Sequence, residues 1–275
     1  MSIDLTEIST EAKKLAREAR VQILKMTTYA KASHVGSALS VIDILSVLYS
    51  GAANISPANS KSDTRDIVLL SKGHAASALY AILAIKDFFP MNKLESYCDN
   101  GALLGGHVTS SGLSGIELST GSLGHALPYG VGVSLSRKIE GKEGKVIVVL
   151  SDGECDEGTT WESALLANHH RLSNLIVIID RNRIQSLKDT ELTLMLEPLR
   201  DKWAAFGWSV FELEGHNYMD LTSTILQKDL NPKVIIANTI KGRGVSFMEN
   251  SVSWHYKSPN VDELSKAIEE VKQVK

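Results

Sequence analysis

Four short, nearly uninterrupted apolar runs constrain this chain more than anything else in it: "DIVLLS" (66–71), "KVIVVLS" (145–151), "NLIVIID" (174–180) and "KVIIANTI" (233–240). Each is shorter than an ordinary helix, rich in β-branched residues, and ends near Gly, His, Asp or Asn. A strand with one wet face alternates apolar with polar residues, whereas one that is apolar throughout is covered on both faces, as in a parallel sheet. Helical stretches separate the runs, among them "ASALYAILAIK" and "WESALLANHHRL". Before them, residues 8–30 carry Ile8, Ala12, Leu15, Ala19 and Ile23 at helical spacing, and "SVIDILSVLYS" reads as a second helix. The tail "VDELSKAIEEVKQVK" reads as a solvated helix. Strands alternating with helices predict an α/β fold, a parallel sheet with helices on both faces. No repeat, low-complexity segment or linker interrupts it, so one domain is expected over 1–275.

In such sheets, ligands bind beyond the carboxyl ends of the strands. There the chain places "SDGECDEG", with Asp152, Glu154, Asp156 and Glu157 close behind a strand. The crossover from "VIVVL" through a helix to "NLIVIID" brings Asp152 and Asn182 to one sheet edge. A carboxylate, an amide oxygen and nearby carbonyls suit Mg²⁺ or Ca²⁺, with the remaining positions open to water or phosphate oxygens. Gly153, placed at the N-terminus of the helix, lets a phosphate approach its N–H. The plainer alternative is a turn Asp followed by acids that favour a first helical turn.

Of the eight histidines, His169, His170 and His216 are best read as solvated or packed. His34, His74, His107, His125 and His255 lie in "KASHVGS", "SKGHAAS", "LGGHVTSSG", "TGSLGHAL" and "VSWHYKS", beside strand ends or helix starts. Gathered near a metal–diphosphate site they would bind hydroxyls and move protons near pH 7. No zinc pairing, nucleophile elbow, Walker loop or dinucleotide fingerprint is present, and "KGRG" falls short of any of them.

The net charge of −3 and pI near 6.3, with dispersed basic residues, give no footprint for nucleic acid. Cys98 and Cys155 match no metal or disulfide pattern, which suits a reducing cytoplasm. The N-terminus has no export signal, and no apolar run reaches the roughly 18 residues of a membrane span, so a soluble cytoplasmic protein is expected.

"SDGECDEG…WE…A…NLIVIIDRNRIQ" resembles the thiamine diphosphate signature in its transketolase form. "SHVGSALS", "SKGHAASALYA", "GGHVT…GIELSTGSLGHAL", "LEPLRDKWAAFGW" and "KGRGVSFMENSVSWHY" follow in the family's order. The resemblance spans almost the whole chain. It implies that Asp152, Asn182 and the Ile184 carbonyl hold the metal, and that His74, Gly153, Asn182 and His255 contact the cofactor. The Gly121-Ser122-Leu123 backbone would flank its rings. His34, His107 and His255 would bind sugar hydroxyls and shuttle protons, and Glu157 and Glu162 would join an acidic network near a subunit interface. Two departures are Ser151 for the first Gly of the usual GDG and Val35 for a common Pro. The resemblance further implies two-carbon transfer between sugar phosphates, catalysed only with a C-terminal partner subunit that supplies the pyrimidine-activating glutamate, as an α2β2 heterotetramer. The alternatives are a non-catalytic cofactor-binding paralogue and a deoxyxylulose-phosphate-synthase-like carboligase subunit.

Overall fold

The computed structural model describes residues 4–273. In chain order it contains α1 (Leu5–Tyr29), α2 (Val35–Val47), β1 (Ile67–Leu70), α3 (Ala76–Ile85), α4 (Ala126–Glu140), β2 (Val146–Ser151), α5 (Gly158–His169) and β3 (Leu175–Arg181). Then follow α6 (Thr190–Thr193), α7 (Leu199–Ala205), β4 (Ser209–Glu214), α8 (Tyr218–Leu226), β5 (Lys233–Asn238) and α9 (Val261–Gln273). The strands form one five-stranded sheet, order β1-β2-β3-β5-β4, parallel throughout.

Because side chains alternate along a strand, the apolar runs feed two separate cores. Val68, Leu70, Ile147, Val149, Ile176, Ile178, Ile235 and Ala237 face a cluster with α1, α2, α3, α8 and α9. Leu69, Val148, Leu150, Val177, Ile179, Val234 and Ile236 face α4, α5 and α7 on the other side, where Trp203 is completely buried. The expected architecture is therefore the observed one, with four of the five strands where the apolar runs lie.

Three local expectations need correction. The tail helix α9 is not simply solvated: Leu264, Ala267 and Val271 are buried in the core beside α1, so it is an amphipathic packing helix. Residues Val35–Ala52 form a helical stretch of 18 residues, kinked at Gly51, with mean hydropathy 1.5, long and apolar enough by composition to cross a membrane. It is 89% buried inside the protein, as a core helix is. Gly153 does not start α5 but a short 3₁₀ turn, Gly153–Asp156, and α5 begins at Gly158.

Two elements give no apolar run in the sequence. β4 is an edge strand, and its "SVFELE" alternates because only part of it is covered. α4 carries Pro128, Gly130 and Gly132 near its start. Gly130 is needed there because a Cβ would come within 2.7 Å of Val148 Cγ2 on the sheet.

Candidate active site

β2 and β3 run side by side with Ser151 opposite Asp180, so the residues that follow each strand emerge at the same edge. Asp152 and Asn182 are both buried there, and with Ile184 they line one cavity of about 190 Å³. The other walls are His34, Ser37, Lys72, His74, His107, Gly121, Leu123, Ser151, Gly153, Gln185, Ser186, Lys241 and His255. Two larger cavities, of about 640 and 650 Å³, lie against α1, and neither includes Asp152 or Asn182.

Three histidines meet around His34. Its ring centre lies 5.3 Å from that of His74, 5.5 Å from His107 and 4.9 Å from His255. His34 sits in the left-handed region, φ 74°, just before α2, where its N–H donates to the His255 carbonyl at 2.7 Å. A non-glycine residue held in that conformation marks a place where the surroundings dictate the backbone. Burial, with His107, Lys241 and Lys72 nearby, holds the His34 imidazole down at about 4. Burial and Lys241 hold His255 at about 3, and burial with Lys72 keeps His74 well below the ordinary value. All three are neutral at pH 7.

The cavity's shape depends on two glycines. A Cβ on Gly73 would stand 2.3 Å from the Thr120 carbonyl oxygen, so only glycine lets the loops bearing His74 and Gly121 touch. Gly121, at φ +148°, would press a Cβ within 2.9 Å of the His107 ring. Leu123 lines the cavity, but Ser122 is exposed and does not. His125 is also exposed and outside it, its Nδ1 beside the Leu123 carbonyl at 3.0 Å.

Asp152 is heavily bonded. Its Oδ1 accepts from the Gly153 N–H at 2.8 Å, and its Oδ2 accepts from the Arg183 N–H at 2.7 Å and from Arg181 and Thr190, each at 3.2 Å. Burial pushes its carboxyl up, against the pull of Arg181. The Asn182 Oδ1 accepts from the Ile184 N–H at 3.1 Å. Among the described residues, no group of three or more His, Cys, Asp or Glu forms a metal cluster.

Several site residues carry no recognisable sequence signal. Lys241, in the "KGRG" segment, donates from Nζ to the carbonyls of Ile184 at 2.9 Å and Gln185 at 3.1 Å, and lies 2.8 Å from His255 Nδ1. Burial and the nearby Lys72 bring its ammonium down to about 7. Lys72 and Asp180 form a fully buried ion pair under the cavity floor. Burial alone would raise the Asp180 carboxyl, but Lys72 and the hydroxyls of Ser40 and Thr239 outweigh it and hold it below its usual range. Arg181 reaches Glu191 at 2.7 Å and Glu197 at 2.9 Å besides Asp152, tying the 186–197 segment to the site. Glu157 and Glu162 are exposed at and near the start of α5, outside the cavity.

Residues 11–272 match the family model described as transketolase, thiamine diphosphate binding domain. The chain belongs to the transketolase family. It is 36% identical to one of the named subunits of the apulose-4-phosphate transketolase of Phocaeicola vulgatus, over 99% of this chain and 96% of that protein. It is 39% identical to 6-deoxy-6-sulfo-D-fructose transketolase subunit SqwG of a Clostridium species over 81% of this chain and 82% of that one. Against human transketolase the identity is 31%, over 94% of this chain but only 42% of the human protein. Among solved structures, Campylobacter jejuni transketolase superposes with a TM-score of 0.86 at 27% identity, covering 99% of this chain and 43% of that one. The chain thus spans about two fifths of these longer transketolases, and most or nearly all of the relatives named as single subunits.

Proposed function

We propose that the chain is the thiamine diphosphate-binding subunit of a split transketolase, which with a second polypeptide moves a two-carbon ketol unit from a ketose phosphate to an aldose phosphate. The observation that carries this reading is the convergence of His34, His74, His107 and His255 with Asp152, Gly153 and Asn182 on one cavity at the carboxyl edge of a parallel sheet. A mere binder of a metal and a diphosphate has no use for so many imidazole donors and acceptors.

A divalent cation, Mg²⁺ or Ca²⁺, fits the oxygens of Asp152, Asn182 and the Ile184 carbonyl. The carboxylate is buried and ready for a cation, and the Ile184 carbonyl already accepts the Lys241 ammonium, so the position favours positive charge. His74 and His255 would face the diphosphate, with Gly153 lining the cavity beside them, and Gly121 and Leu123 would flank the rings. When bound, thiamine diphosphate supplies the carbon nucleophile and the electron sink for breaking and making the carbon–carbon bond. The residues of this chain handle the protons. A protonated Lys241 donates to His255 Nδ1, which leaves the ring proton on Nε2 as a donor. His34 and His107 offer imidazole nitrogens to the hydroxyls flanking the cleaved bond.

The partner is supported by three observations. The apulose-4-phosphate transketolase relatives, which this chain covers almost end to end, are each named as one subunit of their enzyme. The cavity is smaller than the ~300–1,000 Å³ of a typical ligand site. The segment that follows the lining residues Gln185 and Ser186 carries Leu187, Leu192, Leu194 and Met195 with more than half of each exposed. The partner brings the glutamate that activates the aminopyrimidine, in an α2β2 assembly in the cytoplasm.

The test mixes the purified chain, thiamine diphosphate and Mg²⁺ with and without the candidate partner, and follows transfer from xylulose 5-phosphate, apulose 4-phosphate or 6-deoxy-6-sulfofructose to an aldose phosphate. Transfer in the mixture alone is expected. Metal-dependent cofactor binding without transfer from any donor would overturn the catalytic reading.

A further inference from the structure

Behind the cavity, on the α1–α2 face, lies a buried polar cluster whose hub is Asp43 of α2. Its Oδ1 accepts from Arg20 at 2.9 Å and from the Tyr218 hydroxyl at 2.5 Å. Its Oδ2 accepts from Arg20 at 2.7 Å and lies 2.6 Å from His216 Nδ1. Two members continue outward to the same short loop. His216 Nε2 accepts the Ile240 N–H at 2.9 Å, and Arg20 Nε donates to the Arg243 carbonyl at 3.2 Å. The first of these fixes the tautomer: Nε2 must be bare to accept an amide proton, so the ring proton sits on Nδ1 and is donated to Asp43.

The cluster therefore grips both ends of Ile240-Lys241-Gly242-Arg243. The middle is held as well, by the Gly242 N–H on the Gly36 carbonyl and the Asn250 N–H on the Lys241 carbonyl, each at 2.9 Å. Gly242 makes the turn possible, since at φ +82° a Cβ would stand 2.3 Å from the Met248 carbonyl oxygen. Between these clamps, Lys241 extends to Ile184, Gln185 and His255. A lysine side chain is flexible and loses much rotamer freedom when its ammonium is fixed on three acceptors, so the placement needs a rigid backbone beneath it. The cluster can supply that rigidity inside the protein because the Arg20 and Asp43 charges cancel and Asp43 has donors on both oxygens.

We propose that Arg20, Asp43 and His216 are positioning residues for Lys241, fixing its ammonium at the wall of the cofactor cavity through the 240–243 backbone. This rests on the reading of that cavity as a thiamine diphosphate site.

A double-mutant cycle tests it on the full chain with its partner, reading thiamine diphosphate affinity by fluorescence titration in Mg²⁺. Asp43→Asn and His216→Ala are each expected to weaken binding about tenfold, the scale of losing an outer-shell partner. In a Lys241→Ala background the same substitutions are expected to change affinity less than about twofold, because contacts acting through one residue are not additive. Arg20→Lys guards against misfolding: it keeps a cation beside Asp43 but not the fork that also reaches Arg243. Equal losses with and without Lys241 would overturn the proposal and make the cluster a general scaffold. If the wild-type pair binds no thiamine diphosphate, the cofactor reading falls instead, and amide exchange decides the positioning claim. Faster exchange in Asp43→Asn confined to residues 240–243 supports it, and unchanged or globally faster exchange refutes it.

Discussion

The Lys241 ammonium and the His255 imidazole stand 2.8 Å apart, Nζ to Nδ1, and among the described residues no carboxylate bonds to either. A cation at that distance opposes protonation of the imidazole, so Lys241 is, after burial, part of why His255 lies near 3, whereas Lys241 itself is brought near 7 by burial and Lys72. Lys241→Met is therefore expected to raise the His255 pKa toward its ordinary value, read by NMR titration of its ring protons. If His255 does not move, Lys241 carries no charge in the folded protein and the pair is a neutral hydrogen bond.

The same shifts set the pH dependence of stability. His34, His74 and His255 are depressed in the folded state, so the unfolded chain binds protons first and stability is lost as pH falls below about 6.5. Asp43 and Asp180 are also depressed, but their contribution disappears only as pH falls below the ordinary carboxylate range. Lys241, depressed to about 7, and Lys233, to about 8, make stability rise with pH above neutrality. Urea midpoints should fall steadily from pH 7 to 5, and the His34→Asn/His255→Asn variant should flatten that limb. A midpoint constant to pH 5 in the wild type would mean the imidazoles are solvated.

Glu154 is expected to be the structural acid of the "SDGECDEG" turn. It has no exposed surface, and it accepts from the Ser71 hydroxyl, the Gly124 N–H at 2.8 Å and the Ser151 N–H at 3.3 Å. It joins the ends of β1 and β2 to the loop that flanks the cofactor cavity. Glu154→Gln turns an amide donor toward one of these N–H groups and leaves it unsatisfied, at a cost of about 1–3 kcal/mol. Urea denaturation should show this loss, together with weaker cofactor binding. An unchanged midpoint would place the carboxylate's role elsewhere.

What could be read from the sequence follows from what writes a pattern into it. Strands covered on both faces must be apolar throughout, so β1, β2, β3 and β5 stand out, while β4, half-covered at the edge, alternates. Chemistry at a strand end needs particular residue types, so Asp152, Asn182 and the four clustered histidines are visible as departures from turn composition. Ser122 and His125 belong to the same glycine-rich loop, but which residues point inward is decided by the φ of Gly121, which no local pattern reveals. Lys72, Lys241, Arg181 and Asp180 look like ordinary charged residues; only burial, created by contacts distant in sequence, makes them part of the site.

Asp152 separates metal binding from structure most cleanly. Arg181 keeps Glu191 and Glu197 without it, and the strand registers on both sides do not involve its side chain. Asp152→Asn retains an oxygen for the Arg183 N–H but removes the charge that a hard divalent cation requires. The variant is expected to unfold within a few degrees of the wild type and to lose Mg²⁺-dependent binding of thiamine diphosphate by more than about tenfold, the scale seen when a metal site's support is removed. Calorimetry with and without Mg²⁺ gives both numbers. A cofactor affinity that ignores Mg²⁺ in the wild type would show that Lys241, already on the Ile184 carbonyl, takes the cation's place in neutralising the diphosphate. Lys241→Ala would then abolish binding where Asp152→Asn does not.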